Sequence, residues 1–193
     1  SESSVRLRRN IHRLEKGLCM RPRRSIFAED YIGSTVEAYE CLLKALGSGG
    51  KGIAEKQWAY SVLSQYFEFV GDSVLVCEAR NKFSSLPALT LSDACRPYAR
   101  DLSKTMEVSY DGLHELVLRR RSVRWFLKTP VPRSMLDNAI NIARYAPSAC
   151  NRQPFEYRIF DKQELVQELA SFPLGTSGWG HNIPVLVAVV GSL

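Results

Sequence analysis

The run Pro184–Gly191, PVLVAVVG, restricts the fold more than any other stretch of the chain. It is apolar throughout, the pattern of a strand buried on both faces, and such a strand requires a neighbour at each edge and a layer on each side. The other clear strand pattern is FEYRIF at 155–160, where Phe, Tyr and Ile alternate with Glu and Arg. It can cover one edge of the first strand. Further strands are therefore expected from beyond Leu193 or from another chain, and residues 1–193 alone are expected to associate or to be poorly soluble.

Helical periodicity occupies the rest. Leu7, Ile11, Leu14 and Leu18 stand at four-three-four spacing over residues 5–18, one apolar helix face with Gly17 near its end. Ile32, Val36, Tyr39, Leu43 and Leu46 repeat the theme over 30–46. GSGGKG at 47–52 reads as a flexible break. Trp58, Val62, Tyr66 and Phe69 mark another helix ending near Gly71, and one more is expected to about Phe83. Residues 1–105 thus read as an all-helical extension, and 106–193 as a second domain of α+β character. In that domain Leu113, Leu116 and Val117 lead a short helix into Arg119–Arg121, and TPVP at 129–132 stops it. Ser134 with Asp137 resembles a capping box opening a helix that carries Leu136, Ala139, Ile140 and Ala143, and Pro147 ends that helix. Asp161 with Glu164 is expected to cap the next, and GTSGWG at 175–180 is a loop.

Composition narrows the function classes. The chain has 193 residues, 45% hydrophobic and 24% charged, as a globular protein does. No run of about twenty apolar residues marks a transmembrane helix, and the basic N-terminus is followed by no apolar segment of a secretory signal. The absence of an initiator Met suggests a trimmed start. Five scattered cysteines form no CxxC pair, which argues against zinc or a disulfide framework and for reduced thiols in a cytoplasmic protein; three of them lie among apolar helical residues and read as core fillers. The net charge of +6 favours anionic partners. Eight Lys/Arg against four acids in the first thirty residues make a basic terminus. It lacks interleaved aromatics and any nucleic-acid-reading motif, so no nucleic-acid partner is expected.

Two clusters carry possible chemistry. Arg119–Arg133 holds six Lys/Arg and no acid. Basic residues at a helix end satisfy free carbonyls and suit the negative end of the dipole, which accounts for one or two of them. Arg119, Arg120, Arg121 and Arg124 around the hydroxyl of Ser122 go further, because forked guanidinium groups with a hydroxyl suit a phosphate. The second cluster is Ser148, Asn151 and Gln153 between Pro147 and Pro154: small donors and acceptors on a stiffened loop, suited to a sugar chain or a ring edge, or else a helix-stop turn with incidental polar residues.

Taken in order, RRSVRWF, PVP and ARYAPSACNRQPF resemble the opening of the FMN-dependent nitroreductase family, with Phe155 where a Trp is usual. The resemblance covers about 112–193 and implies the N-terminal part of a nitroreductase-like domain, a mixed sheet flanked by helices, incomplete at its C-terminal side. It implies that Arg120, Arg121 and Ser122 contact the FMN phosphate and ribityl chain, and that Arg124 lies toward the pyrimidine edge of the flavin. Pro147, Ser148, Ala149, Asn151 and Gln153 would reach the flavin of a partner subunit in a homodimer with FMN at its interface. NADH or NADPH would be the co-substrate and a small molecule the electron acceptor, with no catalytic acid–base pair of the protein's own. The other reading is a nitroreductase-derived binding or scaffold protein without flavin turnover. Three histidines complete the candidates. His12 with Glu15 reads as a solvated helix face, His114 as structural, and His181 as a surface-loop residue that could line a pocket.

Overall fold

The structure, a computed structural model, describes residues 2–45 and 52–191. The break expected at 47–52 lies outside the described residues but for Gly52, as does Leu46. The described chain forms two compact units. One holds the residues up to Arg100 together with Ser148–Arg152, and the other holds Asp101–Pro147 with the residues from Gln153 onward.

The first unit is built from α1 (Glu2–Cys19), α2 (Ile32–Ala45), α3 (Ile53–Phe69) and α4 (Val74–Ser84). The four-three-four face of α1 is its spine: Leu7, Ile11, Leu14 and Leu18 are all buried. Against them stand Ile32, Val36 and Tyr39 of α2, Val62, Leu63 and Tyr66 of α3, and Val76 of α4. Removing that much apolar surface from water is the principal stabilising term of the bundle. Several polar groups inside it are paired, although the buried Tyr39 hydroxyl has no hydrogen-bond partner among the described residues. Asn10 Nδ2 donates to Thr35 Oγ1 at 3.0 Å, the Thr35 hydroxyl donates to the Tyr31 carbonyl at 2.6 Å, and the Tyr66 hydroxyl donates to the Phe27 carbonyl at 2.7 Å. Ser73 caps α4 by accepting from Val76 N.

Two expectations fail here. His12 and Glu15 do not form a solvated face, since Glu15 Oε1 accepts from the Trp58 indole at 2.7 Å and its other oxygen lies 3.4 Å from His12 Nδ1. The carboxylate therefore joins α1 to α3. Nor is any cysteine a core filler: Cys19 and Cys41 are exposed, and Cys77, Cys95 and Cys150 are half-buried free thiols. Apolar neighbours in sequence do not tell which side of a helix a residue occupies.

The second unit contains α5 (Tyr110–Arg119), α6 (Arg133–Ala143), β1 (Phe155–Phe160), α7 (Gln163–Ala170) and β2 (Leu186–Gly191). Helices with a small sheet make the chain α+β. The strands pair antiparallel, Phe155 opposite Gly191 and Phe160 opposite Leu186. Ser109 caps α5 by accepting from Gly112 N at 3.1 Å. The two other expected caps are absent. Helix α6 begins at Arg133 after Pro132, which places Ser134 inside the first turn, and Asp137 pairs instead with Arg133 Nε at 2.9 Å. Helix α7 has Lys162 at its cap position, so Asp161 stands one residue too early, while Glu164 in the first turn still favours the positive end of the dipole. Strand β2 is not covered on both faces among the described residues. Val187 and Val189 point outward and are exposed, while α7 packs against the strand and buries Val166 and Ala170. No helix of the described residues is long and apolar enough to cross a membrane.

Candidate functional site

The basic cluster starts where α5 ends. Arg119 is taken up by its own helix, Nη2 lying 2.6 Å from Glu115 Oε1 one turn back. The chain then leaves the helix in extended form, with Arg120 at φ −64°, ψ 121°. Arg120, Arg121, Ser122 and Arg124 are all exposed. Arg121 Nη1 donates to the Arg120 carbonyl at 3.0 Å and Arg124 Nη1 to the Ser122 carbonyl at 3.4 Å. Among the described residues none of Arg120, Arg121 and Arg124 is paired with a carboxylate. Three guanidinium groups and a hydroxyl within five residues, uncompensated by any acid, form a donor set that suits a phosphate.

The second cluster is a strained turn. Ala149–Asn151 forms a single 3-10 turn entered from an extended Ser148, and Asn151 N donates to the Ser148 carbonyl at 3.0 Å. Cys150, Asn151 and Gln153 have φ of 53°, 49° and 44°. The left-handed region is unfavourable for residues with a Cβ, least so for Asn, and such strain gathers where a loop serves a ligand. Ser148–Arg152 groups with the helical unit, where Arg8 Nη1 donates to the Arg152 carbonyl at 3.3 Å. Pro147 and Gln153 bracket it in sequence, both exposed. The arginine cluster and the Ser148–Asn151 turn thus fall to different units.

Asn182 and Trp125, which the sequence did not single out for a site, join this region. Asn182 donates from Nδ2 to the carbonyls of Arg124 (2.7 Å) and Trp179 (2.8 Å), and its Oδ1 accepts from Phe126 N at 2.7 Å. The Trp125 ring meets His181 edge-on at 5.7 Å. A cleft of about 700 Å3 lies beside them, lined by Trp125, Lys128, Asp161, Gln167, His181 and Asn182 among others. His181 is an exposed loop residue, as read, and also a wall of this cleft. His114 stacks on Tyr110 within α5, with ring centroids 5.8 Å apart.

Comparison with known proteins bears on one segment of the chain. Residues 117–176 match the profile of the Nitroreductase family. That segment is nitroreductase-family sequence. The nitroreductase segment holds the arginine cluster, α6, the strained turn, β1 and α7. Over 79 residues the chain is 41% identical to 4-nitrobenzoate reductase of Pseudomonas putida, covering 41% of this chain and 33% of that protein. Over 72 residues it is 26% identical to iodotyrosine deiodinase 1 of Rattus norvegicus, covering 37% of this chain and 25% of that one. The matched part of the chain thus spans a third of the first relative and a quarter of the second. No solved structure matches.

Proposed function

We propose that this protein is an FMN-dependent oxidoreductase, with Arg120, Arg121 and Ser122 holding the flavin phosphate and ribityl chain. The observation that carries the reading is the set of three arginines left without carboxylate partners inside the nitroreductase segment. Guanidinium groups so placed offer charge-assisted, forked hydrogen bonds to a phosphate. Arg124, two residues on, would set positive charge near the pyrimidine edge and favour the reduced, anionic form of the ring. Pro147, Ser148, Ala149, Asn151 and Gln153 would present small donors and acceptors to the flavin bound by a second subunit of a homodimer. The left-handed backbone of Cys150, Asn151 and Gln153 supports that role, because it fixes the turn before any ligand arrives.

When bound, the flavin would supply the hydride and electron transfer between NADH or NADPH and the acceptor. The protein's own residues bind, orient and tune it. The names of the two relatives point to substituted aromatic rings, a nitrobenzoate and an iodotyrosine, so a small aromatic acceptor is the favoured class.

The test is a titration of FMN into the apo-form of the full-length protein. Each charged hydrogen bond lost costs about 1.5–3 kcal/mol, so Arg120→Ala with Arg121→Ala should weaken FMN binding by at least about a hundredfold. Equal affinity of wild type and double variant would remove the arginines from the site. A mixed dimer of Asn151→Ala and Arg121→Ala subunits should recover one normal site in two. Absence of that complementation would refute the shared, two-subunit site.

A further inference from the structure

Asn182 does for residues 124–126 what a neighbouring strand would do. In a parallel ladder one residue donates its N–H to a carbonyl of the next strand and accepts from the N–H two residues further on. The Asn182 carboxamide reproduces both bonds, Nδ2 to the Arg124 carbonyl and Oδ1 from the Phe126 amide, each 2.7 Å. Its second donation, to the Trp179 carbonyl at 2.8 Å, anchors the amide in the 3-10 turn Gly180–Asn182. The partners themselves set the orientation of the amide: two carbonyls face the nitrogen and one N–H faces the oxygen. The stretch Arg120–Leu127 belongs to no sheet, and its backbone bonds Arg120 N to Val117 O and Val123 N to Arg121 O are local. Asn182 reaches it from 56 and 58 residues away. Pinning the carbonyl of 124 and the amide of 126 holds the backbone on both sides of Trp125, whose ring meets His181, and with it the direction in which the Arg124 side chain leaves the chain.

We propose that Asn182 is a positioning residue of the proposed flavin site, acting through the backbone on the direction of Arg124. The inference rests on the FMN reading above. It is tested on the full-length protein by comparing the binding of FMN with that of riboflavin, which lacks the phosphate, in wild type, Asn182→Ala, Arg124→Ala and the double variant. Asn182→Ala should raise the Kd for FMN about tenfold, as loss of a charge-assisted contact does. Its Kd for riboflavin should rise by about the same factor, because the pyrimidine edge that Arg124 would face is common to both flavins. The double variant should bind FMN no more weakly than Arg124→Ala, since a residue acting through another shows no separate effect once that other is gone. If wild type binds no FMN, the FMN reading falls and this inference with it. If wild type binds FMN and Asn182→Ala binds it equally well, the inference alone falls. A loss for FMN with none for riboflavin, or additive losses in the double variant, would separate Asn182 from Arg124 and overturn the proposal. Should Asn182→Ala fail to fold, Asn182→Ser keeps a hydroxyl in the turn but is too short to span both backbone groups. Melting temperature then reports its fold, and unchanged FMN affinity in that variant would likewise overturn the proposal.

Discussion

Gly17 has no side chain because Phe27 occupies the space: a Cβ there would sit 2.3 Å from the ring. That ring in turn packs edge-on against Tyr66, with centroids 5.0 Å apart, and the Tyr66 hydroxyl holds the Phe27 carbonyl. Gly17→Ala would push the ring out of a contact on which α3 depends. The expected loss is about 1–3 kcal/mol, as for other overpacked sites, read as a lower melting temperature of the helical unit. An unchanged melting temperature would show that Phe27 moves freely. Glu40 yields a pH prediction. Lys44 Nζ is 2.5 Å and Lys82 Nζ 3.2 Å from its carboxylate, and these hydrogen bonds, that of Lys44 foremost, hold the carboxyl below its ordinary 4.5. A depressed carboxylate stabilises the fold at pH above its unfolded value and loses that contribution as pH falls through the folded one. The wild-type melting temperature should therefore fall more steeply than that of Glu40→Gln as pH drops below about 4.5. Because the pairs are solvent-exposed the difference should be small and should shrink with added salt. Parallel curves at low salt would show that the bridge between α2 and α4 contributes nothing.

At the scale of elements, β1 and β2 present one face of unequal character. Tyr157 and Ile159 on β1 stand opposite Val189 and Val187, and the two valines are exposed. Val189→Lys should leave the unfolding free energy within about 0.5 kcal/mol of wild type, as surface substitutions do. It should lower concentration-dependent association in light scattering, because a charge on an open strand face opposes edge and face pairing. Undiminished association would place the sticky surface elsewhere. How far these elements were legible in the chain depends on where their determinants lie. The face of α1 was legible because Leu7, Ile11, Leu14 and Leu18 carry it themselves. The caps of α6 and α7 were misread because a shift of one or two residues decides what stands at the cap position: Pro132 rather than Ser134 at α6, Lys162 rather than Asp161 at α7. The Arg120–Arg124 cluster was legible as an excess of charge beyond what a helix end needs. Asn182 was not, because one Asn after a Gly-rich loop looks like any loop residue until the fold brings Arg124 and Phe126 to it. Likewise PVLVAVVG indicates a strand suited to burial, but its sequence does not supply the neighbours that would bury it.

Across the whole molecule, apolar burial is divided unevenly between the two units. The contiguous buried cluster is drawn from Leu7 to Ala79, all in the helical unit. In the other unit Val166 and Ala170 are the buried apolar side chains among the described residues, while Leu113, Leu116 and Val117 of α5 are each more than half exposed. An amphipathic helix gains its stability mostly from packing its apolar face, and α5 alone, at ten residues, is too short to persist in water by propensity. Residues 101–147 and 153–191 should therefore open at lower free energy than the bundle. In hydrogen exchange on residues 1–193, amides of α5, α6 and β2 should exchange well ahead of those at Leu14, Val36 and Leu63, and a dye that reports exposed apolar surface should bind. If further strands or a second subunit complete the nitroreductase segment, the full-length protein should show both signals suppressed in 101–191 and unchanged in α1–α3. Equal protection of the two units in residues 1–193 alone would mean that the exposed faces of α5 and β2 are already covered, and that the nitroreductase segment needs no further layer to stand.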